Sequence, residues 1–354
     1  MLQIGKIEGA DPYLFTEVWD AARLDDGRIV AVDVGTHEVR VFAGDGTHLW
    51  SFGRRGEGPE EFGGPPWIVV APPDTIVTWD AGHLRLSRFT LEGELIHQQS
   101  LSGALEALSL FPCPVCRVWQ PAPDGTLLNT MTSSQGMGNS GVQQQLRRVV
   151  FYDPTTGFAR EFSPVLAGRI SWISGNARHL RGYHDPLSPS QAVARGPDSG
   201  MVTVSHPERA EWTVYRPDGS VAQIVRPAMK RDLGGEEARA AERRRAPELA
   251  EQLGVGHREL IEAMDALPVP DSLPAIRRMF WDRDQRLWVG SRTRDSQGMG
   301  PFGVFDRSGR WLAEVGVPRD LVEILGVGDD YVLASWRDEF DVAYLRLYRL
   351  ERNP

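Results

Sequence analysis

Short runs in which apolar and polar residues alternate recur along the chain, and turn residues end each run. Residues 28–34 and 38–42 alternate with a period of two, which is typical of β-strands with one buried face. Asp26-Gly27 and Asp45-Gly46 flank these runs. Aspartate followed by glycine favours a tight hairpin turn, because glycine tolerates the positive φ such turns need. The stretch from residue 27 to residue 62 therefore predicts an antiparallel meander.

Turn residues return in two separate registers, and each register repeats at about the length of one meander. The first follows the predicted first strands, at Asp26, Asp74, Asp124, Asp198, Asp284 and Asp329. The second precedes the predicted outer strands, at Gly46, Gly93, Gly157, Gly219 and Gly309. Meanders repeated in this way are typical of propeller blades. The sequence predicts an all-β, six-bladed β-propeller of four-stranded antiparallel blades.

The sixth repeat lacks an outer strand at its C-terminal end. Residues 2–7 precede the first inner strand and have the pattern of a short strand. Pairing this strand with the last repeat would close the ring and leave no open edge. We therefore expect one domain over residues 1–354, with the N-terminal strand completing the last blade.

The long insertions all belong to one set of connections. They lie between second and third strands or between successive blades, which puts them on one face of a meander ring. Their residues are 101–116, 133–144, 166–190, 227–273 and 292–300. Insertions in a repeat protein tend to collect on the binding face, although drift at tolerant positions would give the same pattern. Only the insertion from Pro227 to Leu273 combines helix formers, early acids and late arginines, so it predicts a helical hairpin.

Composition and charge argue against several classes of protein and of binding site. The 354 residues carry a net charge of −9, which argues against nucleic-acid binding. No apolar run is long enough to span a bilayer as a helix, and no secretory leader is recognisable at the N-terminus. We expect a monomer that is either extracytoplasmic, as a mature periplasmic or secreted form, or cytoplasmic. Cys113 and Cys116 favour a local disulfide or two thiols over a zinc site, because no second pair exists.

Polar and aromatic residues on the insertion-bearing face are the candidate ligand contacts. They are Glu17, Arg54, Arg55, Glu57, Trp67, Asp80, His83, His179, His184, Arg292 and Arg337. Arg54, Arg55 and Glu57 either hold an anion or form ion pairs that fix the loop between two blades. Trp67 and Trp19 occupy equivalent repeat positions, so packing between blades is the alternative to stacking on a ligand.

Histidines on the same face raise a second hypothesis. His179 and His184 lie close to Asp185, and His206 follows a predicted second strand. Imidazole and carboxylate groups gathered around an axis are able to bind a divalent metal. Calcium or zinc is therefore a candidate cofactor, with His179, His184 and His206 as ligands. Ordinary surface histidines are the simpler interpretation.

The residues VAVDVGTHEVRVFAGDG and FGRRGEGPEEFGGP resemble NHL-type six-bladed propellers, and most of all their bacterial extracytoplasmic relatives. The resemblance is good in the first repeat and weaker elsewhere. It implies a propeller fold and a binding surface, but no single activity, since the family includes scaffolds, sensors, lyases and hydrolases. Glu17 also resembles the first glutamate of calcium-dependent propeller lactonases. Two hypotheses follow: a protein that binds a small molecule or a protein partner, or a metal-assisted lyase or hydrolase. No residue is assigned a catalytic role.

Overall fold

The computed structural model describes residues 1–71, 75–108, 119–132, 141–174, 181–196, 198, 200–229, 235–271, 273–290, 300–318 and 321–351. These residues form six antiparallel sheets. Strands of the N-terminal part are β1 (Leu2–Ile4), β2 (Val18–Arg23), β3 (Ile29–Asp33), β4 (Val39–Phe42), β5 (His48–Phe52), β6 (Trp67–Ala71), β7 (Thr75–Asp80), β8 (Arg85–Thr90) and β9 (Leu95–Ser100). A short helix α1 (Ser102–Ala107) follows β9.

The remaining strands complete the other sheets. They are β10 (Trp119–Pro121), β11 (Leu127–Thr132), β12 (Gly141–Tyr152), β13 (Ala159–Ser174), β14 (Arg181–His184), β15 (Val193–Arg195), β16 (Val202–Ser205), β17 (Trp212–Tyr215), β18 (Val221–Val225), β19 (Arg278–Trp281), β20 (Leu287–Gly290), β21 (Phe302–Phe305), β22 (Trp311–Val315), β23 (Leu321–Val327), β24 (Tyr331–Arg337) and β25 (Ala343–Arg349). Between β18 and β19 lie the helices α2 (Gly235–Arg244), α3 (Ala246–Leu253) and α4 (His257–Asp265).

The six sheets are the blades of a β-propeller, as the turn registers predict. Blades one to five are β2–β5, β6–β9, β10–β14, β15–β18 and β19–β22. Blade six consists of β23, β24 and β25 with β1 as its outer strand, and Leu2 pairs with Leu347. The closure by the N-terminal strand is therefore confirmed. Gly46, Gly93, Gly157, Gly219 and Gly309 all have positive φ, which explains why glycine recurs at the third turn.

The innermost strands meet around a common axis. Strand β2 contacts both β6 and β23, β6 contacts β10, and β15 contacts β19. Blades three and four are joined by Arg195, which donates to the carbonyl of Thr126 at 2.7 Å. Blades five and six are joined by Arg286 and Asp329, whose charged atoms lie 3.1 Å apart. The blades therefore form a closed ring.

The hydrophobic core lies between neighbouring blades. Phe42 of blade one packs with Leu333 and Leu345 of blade six, while Trp212 of blade four packs with Phe305 of blade five. Since every blade shares its apolar faces with two neighbours, no blade has a complete core of its own.

Blade three differs from the predicted four strands. Strands β12 and β13 continue beyond the body of the propeller, with Gly141 opposite Trp172, and β14 adds a fifth strand beside β13. Much of the 166–190 insertion, predicted as a loop, is therefore sheet. The added strand is stabilised by the helical insertion, because Tyr183 of β14 packs against Leu260 and Met264 of α4.

The helical insertion packs on blade three, although in sequence it lies between blades four and five. Arg239 of α2 forms a buried ion pair with Asp185, with Nη2 and Oδ1 3.1 Å apart. Helix α3 ends at Gly254, whose φ is 60°, as the sequence predicts. None of the described helices is long and apolar enough to cross a bilayer.

Candidate functional site

A channel runs along the axis of the ring, and its volume is about 1240 Å³. Residues of the innermost strands of all six blades line it. Each of these strands begins at the insertion-bearing face and ends at the face of the first and third turns, because the strands alternate direction within a blade. The register of the strands therefore assigns each lining residue to one end of the channel.

Ion pairs cross the end at the tight turns, which we call the tight-turn mouth. Arg283 of blade five and Asp25 of blade one lie 3.2 Å apart, although blade six separates the two blades. Arg23 pairs with Asp330 at 3.4 Å, and its guanidinium lies over the ring of Tyr331. Burial is the main cause that raises the pKa of Tyr331. Charged side chains thus narrow this mouth.

We call the opposite half of the channel the insertion-bearing half. Its lining includes Asp20, Trp67, Arg147, Arg277, Arg278 and Glu323. Arg147 lies opposite Thr132 at the end of β11, and Arg278 lies opposite Gly290 at the end of β20. Asp20 accepts a hydrogen bond from the backbone N–H of Ile68 at 2.9 Å. This bond joins blades one and two beside the channel.

Arg147 is the most unusual group in this half. It forms no hydrogen bond or ion pair with the described part of the chain. Because the surrounding protein displaces water, the pKa of its guanidinium is lowered from the ordinary value. A partly buried cation without a fixed counter-ion is costly unless an anion joins it.

Of the candidate ligand contacts chosen from the sequence and described here, Trp67 lines the channel. Its ring centroid lies 4.7 Å from that of Trp19, and both side chains are buried. The packing between blades that the repeat positions predict is therefore present. One edge of the same pair borders the channel, so packing and ligand contact are compatible roles for Trp67.

Asp80 and His83 lie together but serve the loop beside blade two. The buried carboxylate of Asp80 accepts hydrogen bonds from the backbone N–H groups of Gly63 and Gly82. His83 Nε2 lies 2.9 Å from the carboxylate of Glu57. Asp33 has the same structural role in blade one, because its carboxylate accepts a hydrogen bond from the backbone N–H of Thr16 at 2.7 Å. These carboxylates fix the start of an inner strand, and neither belongs to the channel lining.

The arginines of the first interblade link form local contacts. Arg54 pairs with Glu61 at 2.6 Å, as the ion-pair alternative predicts. Backbone hydrogen bonding from Gly58 and the Arg54 guanidinium together lower the pKa of Glu61. Arg55 forms a backbone bridge with Phe62.

Glu17 and Arg337 meet across the boundary of blades one and six. Their charged atoms lie 3.7 Å apart, and Arg337 also pairs with Asp341 at 2.9 Å. Both residues lie on the insertion-bearing face, at the start of β2 and the end of β24. Their role as ligand contacts stays a prediction.

Two of the three candidate metal ligands, His184 and His206, lie in the described part of the chain. His206 Nδ1 accepts the backbone N–H groups of Glu208 and Arg209, and His184 lies on β14. Burial lowers the pKa of His184. No group of three metal-ligating side chains occurs in the described ranges. His179, Arg292, Asp74, Cys113 and Cys116 lie outside those ranges, so the calcium or zinc site stays an untested prediction.

The arginines of the channel, Arg147, Arg278 and Arg283, were missed by the sequence analysis. Arg283 stands beside a turn of the first register, and Arg278 opens an inner strand, so the repeat register contains a signal for both. Arg147 lies on a third strand. Third strands lie away from the axis in a propeller blade, so no pattern in the sequence indicates that Arg147 lines the channel.

No family model and no curated protein matches this chain. Several solved structures are similar in fold. An exported protein from Bacteroides fragilis is 15% identical, with 100% of this chain and 95% of that chain covered and a TM-score of 0.47. A gluconolactonase from Xanthomonas campestris is 13% identical, with coverages of 95% and 88% and a TM-score of 0.42. A virginiamycin B lyase from Staphylococcus aureus is 11% identical, with coverages of 96% and 86% and a TM-score of 0.37. Because these identities and TM-scores are low, the activities of these proteins are not assigned to this chain. The propeller assignment rests on the six sheets of the chain itself.

Proposed function

We propose that this protein is a ligand-binding β-propeller whose site is the axial channel, entered from the insertion-bearing face. The observation that carries the proposal is the channel itself. A volume of about 1240 Å³ accommodates a small organic molecule, and the pair of Arg283 with Asp25 obstructs the other mouth. Long connections around the open mouth supply the variable surface that binding sites on repeat scaffolds use.

A variant that fills the channel tests this proposal. Gly326 lines the channel, and a Cβ atom added there meets no atom closer than 3.9 Å. Gly326→Phe therefore narrows the channel without a backbone clash. Gly316→Phe is the matched control, because a Cβ atom at Gly316 meets nothing within 4 Å and the residue is exposed outside the ring.

The measurement is a thermal-shift screen of small metabolites on the full chain. We expect compounds that raise the Tm of the wild type and of Gly316→Phe to lose their effect on Gly326→Phe. Compounds that stabilise all three proteins equally bind outside the channel. If every stabilising compound behaved that way, the proposal would be wrong.

Four finer expectations belong to this proposal. The NHL type is supported by the residues of the first repeat, and export is supported by the resemblance to extracytoplasmic relatives; cell fractionation tests the location. A metal-assisted lyase or hydrolase is the alternative activity, and metal analysis of the purified protein tests it. A protein partner on the same face is a fourth expectation, and no contact among the described residues favours it over a small molecule.

A further inference from the structure

The charges along the channel are divided unequally between its two ends. At the tight-turn mouth, Arg23 and Arg283 each pair with an aspartate. The insertion-bearing half is lined by three arginines and two acids, namely Arg147, Arg277, Arg278, Asp20 and Glu323. One of the acids, Asp20, already accepts the N–H of Ile68. The insertion-bearing half therefore has an excess of one positive charge among the described lining residues.

Arg147 is a partly buried arginine of this half, whereas Arg278 is exposed to solvent. Arg147 forms no ion pair with the described residues, whereas Arg148, the next residue, pairs with Glu161 at 2.7 Å. A guanidinium presents a planar fork of donors that matches a carboxylate in two parallel hydrogen bonds. Displacing the remaining water would strengthen such a contact, because the local dielectric falls.

Aromatic side chains border the channel at two different levels. Trp67 of blade two and Phe280 of blade five both line the channel, and these two blades stand opposite each other in a ring of six. Phe280 is held by stacking on Trp288, with ring centroids 5.7 Å apart. Trp67 opens β6 at the insertion-bearing end of the channel, which Arg147 also borders, whereas Phe280 is the last residue but one of β19 and lies toward the tight-turn mouth.

We propose that the channel binds an organic monocarboxylate, with its carboxylate on Arg147 and its aromatic or aliphatic body beside Trp67. The inference rests on the proposed function, because it assigns a ligand class to the same channel. A single negative charge balances the excess of one, whereas a phosphate dianion would overcompensate it.

Two iodinated probes of the same shape test the ligand class. Para-iodobenzoate carries the carboxylate, and para-iodobenzamide replaces it with a neutral amide. Binding is measured by calorimetry on the full chain, and the anomalous signal of iodine in soaked crystals locates each probe. We expect the benzoate in the channel, with an affinity about tenfold above that of the amide, since a charged hydrogen bond is stronger than a neutral one.

Arg147→Met removes the charge while keeping much of the side-chain length. We expect it to lower benzoate affinity about tenfold and to leave amide affinity unchanged. The matched control is Arg258→Met on α4, because Arg258 is 91% exposed and its loss changes the net charge equally. Arg147→Lys keeps the charge without the fork, so its affinity should fall between those of the wild type and Arg147→Met. It also provides the comparison should Arg147→Met fail to fold.

The outcomes separate this inference from the proposed function. If both probes occupied the channel with equal affinity, or if Arg147→Met and Arg147→Lys bound the benzoate as the wild type does, the carboxylate assignment would be overturned and channel binding would stand. If neither probe appeared in the channel and metabolite stabilisation were insensitive to Gly326→Phe, both proposals would fall.

Discussion

Leu2 and Leu347 are backbone partners in one sheet, although they stand near opposite ends of the chain. This pairing converts a row of blades into a ring, because the outer strand of blade six comes from the N-terminus. Ile4 follows in the same strand and is buried against Phe15 and Leu345. Closure is therefore a matter of side-chain packing as well as of backbone hydrogen bonds.

Shortening Ile4 should weaken the closure. We expect Ile4→Ala to lower the free energy of unfolding by about 2–5 kcal/mol, as for other large-to-small changes in a core. Urea denaturation measures the effect. Ile7→Ala is the matched control, because Ile7 is 62% exposed, and it should leave the midpoint nearly unchanged. Equal stabilities for the two variants would show that the N-terminal strand does not close the ring in solution.

The buried pair of Asp33 and Arg40 predicts a large cost for a small change. The side chains are 1% and 2% exposed, and their charged atoms lie 3.4 Å apart. Asp33→Asn removes one of two carboxylates beside the buried Arg40, the other being Glu38 at 3.2 Å, and weakens the hydrogen bonds from Thr16 and Thr36. We expect a loss of about 2–3 kcal/mol in the free energy of unfolding, because hydrogen bonds to a charged group are lost in the interior.

Asp45→Asn is the control for that variant, since Asp45 caps an exposed turn by accepting the N–H of Thr47. Its effect in the same urea titration should be much the smaller of the two. A comparable loss in both variants would show that burial of the Asp33–Arg40 pair does not increase the stability cost of the substitution.

The ion pair of Asp185 and Arg239 fixes the helical insertion on blade three. Both side chains are almost fully buried, and Arg239 Nε has no hydrogen-bond partner among the described atoms. Breaking the pair by Asp185→Asn or Arg239→Met should cost about 3–5 kcal/mol. The double variant Asp185→Leu with Arg239→Met should recover most of that loss, because no charge then remains buried. Additive losses in this double-mutant cycle would contradict the interpretation.

His184 predicts a dependence of stability on pH. Burial lowers its pKa in the folded protein below the ordinary 6.5. As the pH falls below about 6.5, the unfolded chain takes up a proton that folded His184 does not, so the free energy of unfolding falls. The contribution of His184 is therefore fully present above that pH and decreases until the folded pKa is reached.

His184→Gln should reduce this loss, measured as the difference between urea midpoints at neutral and mildly acidic pH. His97→Gln is the matched histidine control, because it removes an exposed imidazole from a different blade, on β9. An NMR titration of the His184 ring measures the pKa directly, and a value at or above 6.5 would contradict the assignment.

Much of the candidate site could not be predicted from single positions. The sequence correctly placed Trp67 at a blade boundary and paired Arg54 with a carboxylate, since both follow from the repeat and from local charge. It favoured Asp80 and His83 as ligand contacts because polar groups at strand ends often bind ligands. In the structure Asp80 holds the backbone of Gly63 and Gly82, and such roles depend on which loop lies within reach.

The sequence by itself determined the repeat. Period-two strands and glycines at positive φ are local properties, so the number of blades, their order and the closing role of β1 could be predicted from turn register alone. Tertiary structure decided what the repeat encloses. Arg147 borders the channel although it belongs to a third strand, and α2 contacts Asp185 because the helical insertion packs on blade three. Those contacts join segments that are far apart in the sequence, and they depend on the volumes and charges of side chains that meet only in the folded protein. The spacing of residues along the chain does not specify which side chains meet.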